Sequence, residues 1–168
     1  NEVVGSPWPD LSEEHLVETL DDWLAPFLDG KRSLESLATG ALSDALMLLA
    51  KHPPKTELDR LVPAHYVTPA GSTTPLVYAD KTVKLSVRPQ ELFGLDHHPT
   101  ILDGRLPFSI ELLSPAGRPV QLTQDLPGFW RGSWTDVRTD LRGRYPKHPW
   151  PEDPLNAEPT RRAKPSKR

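Results

Sequence analysis

No cysteine occurs among the 168 residues. Disulfides, thiolate nucleophiles and cysteine-based zinc sites are therefore excluded together, and a reducing, cytoplasmic setting is the default expectation. The chain also lacks any apolar run near the ~18 residues of a membrane span, and Asn1-Glu2-Val3-Val4 has nothing of a signal peptide. A soluble protein without a membrane partner is expected, and the missing initiating methionine suggests part of something longer.

The chemistry that is missing narrows the function further. A phosphate-cradling loop needs a glycine five positions before Gly-Lys-Ser/Thr, so that amides and a lysine hold phosphates and the hydroxyl holds Mg²⁺. The nearest fragment is Gly30-Lys31, with Ala25 in place of the first glycine and Arg32 after the lysine. Ser12-Glu13-Glu14-His15 has the outline of a DExH box, but serine replaces the metal-binding aspartate and the segment opens a helix instead of ending a strand. No nucleophile elbow of the form G-x-S-x-G is present. His97-His98, flanked by Asp96 and Asp103, are ligand-type residues without the spacing of a known metal geometry, and exposed loop histidines are the better reading. His65 and Tyr66 open a strand and read as packing residues. Neither a catalytic constellation nor a cofactor or metal site is expected in this chain.

What is present describes a folded body. Proline and glycine number 30 of 168 residues, below the roughly 25–30% of a disordered chain, while 36% of residues are hydrophobic and five are tryptophan. The length suits a single domain, expected over residues 1–164, with a helical part at 1–62 and a sheet plus helix at 63–150. The formal charge of −3 hides an asymmetry, since residues 1–130 balance to −8 and residues 131–168 to +5.

Helical signals fill the first third. Asp10 followed by Glu13 reads as a capping box, and Leu16, Leu20, Trp23, Leu24 and Phe27 supply an apolar face until Pro26 and Gly30 end it. Ser33 reopens a short helix with Leu34 and Leu37. A third helix carrying Leu42, Leu46 and Leu49 runs to His52 before Pro53-Pro54, and residues 56–61 add a turn or two. From His65 the apolar period changes from 3.6 to 2. Short antiparallel strands are expected at 65–68, 76–78, 83–87, 108–113 and 119–122, with a short helix at 89–93 ended by Gly94 and a loop at 95–105. After Trp150 the prolines and the basic residues Arg161 to Arg168 have no apolar partner, so 151–168 is expected to be a disordered tail. The fold class is therefore α+β, with N-terminal helices, an antiparallel sheet of about four or five strands and a C-terminal helix packed on it.

The segment 121–154 holds three of the five tryptophans. On one helix Trp130, Trp134, Val137 and Leu141 would share a narrow stripe facing the core, while Arg131, Arg138 and Arg142 would form a second stripe at the solvent boundary. With Arg144 and Lys147, and with Tyr145 and Trp150 between them, these are the residue types that neutralise phosphates and stack on unpaired bases. Arg131, Arg138, Arg142, Arg144 and Lys147 are therefore the candidate residues for binding nucleic acid or a partner. A solvated helix edge, or arginines that pair with Asp136 and Asp140, is the competing reading.

Several motifs point to a family. Gln90-Glu91-Leu92-Phe93-Gly94, Glu111 to Gln121 (ELLSPAGRPVQ), Asp125-Leu126 with Phe129-Trp130-Arg131-Gly132, Gly143 to Pro154 (GRYPKHPWPEDP) and Pro159-Thr160-Arg161-Arg162 closely resemble the C-terminal region of the bacterial HrpB family of ATP-dependent DExH-box helicases. The resemblance runs from about Trp8 to Lys164. It implies a non-catalytic accessory module whose ATPase domains, with their ATP and Mg²⁺, lie upstream. Its partners would be the helicase core of the parent chain and single-stranded RNA or DNA; a pure protein-interaction module with no nucleic-acid contact is the alternative.

Overall fold

The structure is a computed structural model that describes residues 9–31, 33, 39–49, 55–79 and 81–162. The chain divides into two compact units, Asn1–Leu61 and Val62–Arg168.

The first unit is built of short helices: α1 (Glu13–Glu18), α2 (Leu20–Trp23), α3 (Ala25–Leu28), α4 (Ala41–Leu49) and α5 (Lys55–Leu61). The start of α1 lies later than its capping signal suggests. The Asp10 carboxylate accepts the Ser12 N–H at 2.9 Å, so Ser12 becomes the cap and its hydroxyl accepts from the His15 N–H at 3.4 Å. Glu13 is then the first helical residue, and there is no capping box. The apolar face from Leu16 to Phe27 is divided over three helices. Thr19 turns its hydroxyl back onto the His15 carbonyl at 2.7 Å, and Pro26 has no N–H to donate to the carbonyl one turn earlier. The Trp23 indole N–H reaches the Leu16 carbonyl at 2.9 Å across the first break. The helix expected around Leu34 and Leu37 and the end of α4 at His52 lie outside the described residues.

The second unit holds a six-stranded sheet of β1 (His65–Val67), β2 (Thr73–Ala79), β3 (Thr82–Val87), β4 (Thr100–Ile101), β5 (Leu106–Leu113) and β6 (Pro119–Thr123). The order is β1-β2-β3-β5-β4, with β6 also on β5. One pairing departs from the antiparallel expectation: β3 and β5 run parallel, Val83 opposite Phe108 through Val87 opposite Leu112. A hairpin cannot join parallel neighbours. The connection from Arg88 to Arg105 makes the crossover and contributes β4, inside what the sequence reads as a loop.

Alternation decides which face is buried. Val83, Leu85, Val87, Phe108, Ile110 and Leu112 are all at most 3% exposed. Between them Lys84, Ser86 and Glu111 occupy the other face, where the Ser86 hydroxyl donates to Glu111 at 2.7 Å and Lys84 lies 3.5 Å from it. The apolar core is completed by Leu92, Phe93 and two helices, α6 (Leu126–Arg131) and α7 (Trp134–Arg144). These replace the single helix anticipated there. Asp125 caps α6 through the Gly128 N–H at 2.9 Å, and Gly132, with φ −114° and ψ −96°, breaks the run. Trp130, Trp134 and Leu141 still reach the core, at 5%, 1% and 1% exposure.

The segment after Trp150 is not the disordered tail that its composition suggests, at least to Thr160. Pro154 is buried and accepts the Gly94 N–H at 3.0 Å; the Gln90 carbonyl accepts the Thr160 N–H at 2.9 Å. Gly94 sits at φ +80°, a backbone region costly to residues with a side chain. Composition counts a segment's own apolar side chains. This strap is held by backbone hydrogen bonds to Gly94 and to Gln90 of a 3-10 turn at Pro89–Glu91, and by the Trp134 indole N–H on the Pro151 carbonyl. Residues 163–168 lie outside the described residues.

Candidate nucleic-acid interface

Three tryptophans set the geometry at the C-terminal end. The Trp130 indole N–H donates to the Leu95 carbonyl at 3.1 Å, Trp134 to Pro151 at 3.0 Å and Trp150 to Tyr145 at 2.8 Å. Trp134 lies edge-on to Phe93 and Trp130, with centroids 5.6 and 5.5 Å apart, and 6.1 Å from Trp150. Each ring is buried with its one donor satisfied, the arrangement an indole needs inside a core. None of the three is left free to stack on a base.

Between α7 and the returning strap runs an open groove of about 820 Å³, lined by Arg138, Thr139, Arg142, Gly143, Pro146, His148, Trp150 and Glu152. Arg138 and Arg142 are one turn apart and so share a face of α7. They differ in how they are held. Arg138 has its Nε on the Trp150 carbonyl at 3.0 Å and an NH2 on Glu152 at 3.0 Å, with only 17% of its side chain exposed. Arg142 is exposed and has no hydrogen-bond or ion-pair partner among the described residues. A Cβ added at Gly143 would meet nothing within 4 Å, so the floor of the groove is open there. On the far wall His148 packs edge-on to Tyr145 at 6.5 Å, and burial, with the Arg88 charge nearby, holds its imidazole below the ordinary value.

Of the five cations singled out in the sequence, the structure brings Arg138 and Arg142 together in the groove. Arg131 is exposed at the end of α6, Arg144 pairs with Asp140 at 2.9 Å one turn back, and Lys147 is exposed in the turn after α7; none of these three lines the groove. His148 and Glu152 were not singled out. Their part comes from a strap that folds back on α7, and no local spacing carries that signal.

Of the histidine pair in the loop, His98 is structural. His98 donates Nε2–H to the Phe108 carbonyl at 2.8 Å and accepts the Leu126 N–H on Nδ1 at 3.1 Å, which occupies both ring nitrogens and joins β5 to the start of α6. His97 faces solvent against Asp96 at 2.9 Å. Among the described residues no three His, Asp or Glu side chains gather to hold a metal ion.

Comparison with known proteins accords with the motifs. Residues 23–154 match the HrpB family described as ATP-dependent helicase C-terminal. The chain is 45% identical over 158 residues to the ATP-dependent RNA helicase HrpB of Escherichia coli strain K12, covering 94% of this chain and 20% of that protein. It superposes on the crystal structure of the E. coli DExH-box NTPase HrpB with a TM-score of 0.84 at 44% identity, over 93% of this chain and 19% of the other. A second crystal structure, of the E. coli DEAH/RHA helicase HrpB, gives a TM-score of 0.67 at 41% identity over 85% of this chain and 18% of that one. The chain thus spans about a fifth of the length of these relatives, and it belongs to the HrpB-type ATP-dependent helicase C-terminal family.

Proposed function

We propose that this chain is the non-catalytic C-terminal accessory module of a cytoplasmic ATP-dependent DExH-box helicase, docking on the helicase core of its parent and contacting single-stranded RNA or DNA through the basic edge of α7. ATP and Mg²⁺ would belong to the parent's core, since Gly30-Lys31-Arg32 cannot cradle phosphates. The carrying observation is the groove, where Arg138 and Arg142 stand on one face of α7 within residues 131–168, which balance to +5. The three tryptophans of the basic-aromatic pattern are spent on the core. Contact is then with the sugar-phosphate backbone, tolerant of sequence, in place of base stacking.

Binding of a short single-stranded oligonucleotide to the 168-residue chain over about 50 to 200 mM salt tests this reading. Phosphate contacts give an affinity that falls log-linearly with salt, by about 0.7 per contact for a single strand. Affinity that is flat in salt would refute it. A second reading, a module that binds only protein, is favoured by the ion pairs Arg138–Glu152 and Arg144–Asp140, in which cations of this edge already meet carboxylates. Capture of the separately produced helicase core by a chain with no oligonucleotide affinity would establish it.

A further inference from the structure

We infer that the groove between α7 and the strap is a seat for one backbone phosphodiester, and that the Glu152 carboxylate occupies it when no nucleic acid is bound. The inference rests on the nucleic-acid reading above. It goes further by naming the position, the ligand group and an internal competitor.

Three features carry it. Arg138 is locked by its Nε on the Trp150 carbonyl, so the outer end of its guanidinium is aimed in a fixed direction, and what it meets at 3.0 Å is Glu152. A guanidinium recognises carboxylate and phosphate by the same planar donor geometry. Glu152 is 87% exposed, whereas Arg138 is 17% exposed. The anion is therefore the mobile partner and can be exchanged without disturbing the core, while the cation cannot leave. Second, Arg142 stands one turn along on the same groove, exposed and with no carboxylate of its own among the described residues. One internal anion faces two arginines, and a phosphate bridging both would match the charge better than Glu152 does. Third, Gly143 lines the groove without needing to be glycine for packing: an added Cβ has open space around it, and its φ is not positive. Glycine inside a helix weakens it relative to alanine. An open floor beside Arg142 gives a ligand close approach to the helix.

His148 closes the opposite wall and, held toward its neutral form, contributes an imidazole hydrogen bond to the seat without a full charge. With Trp130, Trp134 and Trp150 buried, the site reads backbone and not base. Oligouridylate and oligothymidylate should therefore bind alike.

The test compares the 168-residue chain with Glu152→Gln, Arg142→Gln and Gly143→Ala, titrating fluorescein-labelled oligouridylate and, in parallel, oligothymidylate. Glu152→Gln should tighten binding about two- to fivefold, the range of one exposed ion pair, and leave the salt slope as it was, because the number of phosphate contacts is the same. Arg142→Gln should weaken binding and flatten the slope by about 0.7. Gly143→Ala should weaken binding while the melting temperature holds or rises. Circular dichroism melts of all four proteins establish that the changes are local. If the unaltered chain binds and Glu152→Gln leaves affinity unchanged, the seat is overturned and the proposed function stands. If neither protein binds oligonucleotide at low salt, the nucleic-acid reading falls and the seat with it. A preference for one of the two oligonucleotides would overturn recognition through the phosphate alone.

Discussion

The two units use the same apolar residue types to different ends. In the first, Leu11, Val17, Leu20, Leu42 and Leu48 are 36–64% exposed, and α1, α2 and α3 have no more than six residues each. Such helices are too short to be stable by themselves and have little area to pack. In the second, a sheet offers a continuous inner face, and Val83, Leu85, Phe93, Ile110, Leu112 and Leu126 reach 0% exposure. Amphipathic periodicity proposes a face. Burial requires a second surface of matching extent, and within the described residues only the second unit builds one of that size.

Tryptophan substitutions offer the strongest test of this contrast. Trp134→Ala should destabilise the second unit by about 3–5 kcal/mol, the range for a large buried aromatic. Trp23→Ala, which removes a half-buried ring and its bond to the Leu16 carbonyl, should cost about 1–2 kcal/mol. Urea denaturation followed by tryptophan fluorescence and by circular dichroism measures both. Equal costs would mean that the first unit is as well packed as the second.

Removing residues 151–168 asks whether the strap belongs to the body. The deletion takes away the Pro151 carbonyl that satisfies Trp134 and the Pro154 carbonyl that accepts Gly94. A loss of about 2–4 kcal/mol is expected, since a buried donor left unpaired costs about 1–3 kcal/mol. Unchanged melting would restore the disordered tail.

Within the groove, Arg138→Gln should cost about 1–3 kcal/mol by breaking a hydrogen bond from a charged group to the Trp150 carbonyl. Arg142→Gln should stay within about 0.5 kcal/mol, as exposed substitutions do. Thermal melts of the pair separate the positioned arginine from the free one, and a reversed order would undo the assignment of roles.

The smallest effect is a pH dependence. Burial and Arg88 lower the His148 pKa on folding, so below its ordinary value of 6.5 the unfolded chain takes up the proton first. The contribution is therefore intact above pH 6.5 and is lost as pH falls through the lowered folded value. His148→Gln should flatten the stability profile in that window; an unchanged profile would place the imidazole in solvent.

Much of the second unit was legible. Val83-Lys84-Leu85-Ser86-Val87 alternates cleanly, and its burial follows that alternation residue by residue. Trp130, Trp134 and Leu141 were readable as core from helical spacing, even though Gly132 divides the helix, because the two-residue interruption leaves the stripe facing inward. The site was half legible. Residue type marked Arg138 and Arg142, but the groove's other wall comes from the strap, and Arg138 finds its carboxylate 14 residues away.

By itself the sequence determined most of the element types, the charge asymmetry, the lack of a phosphate loop and the family, because each is written in local order and spacing. Tertiary structure alone decided that β3 lies parallel to β5, that the strap is ordered, and which arginine is pinned. These are choices of hydrogen-bonding partner. A backbone amide or a guanidinium can bond to many acceptors, and only the folded arrangement makes one of them available.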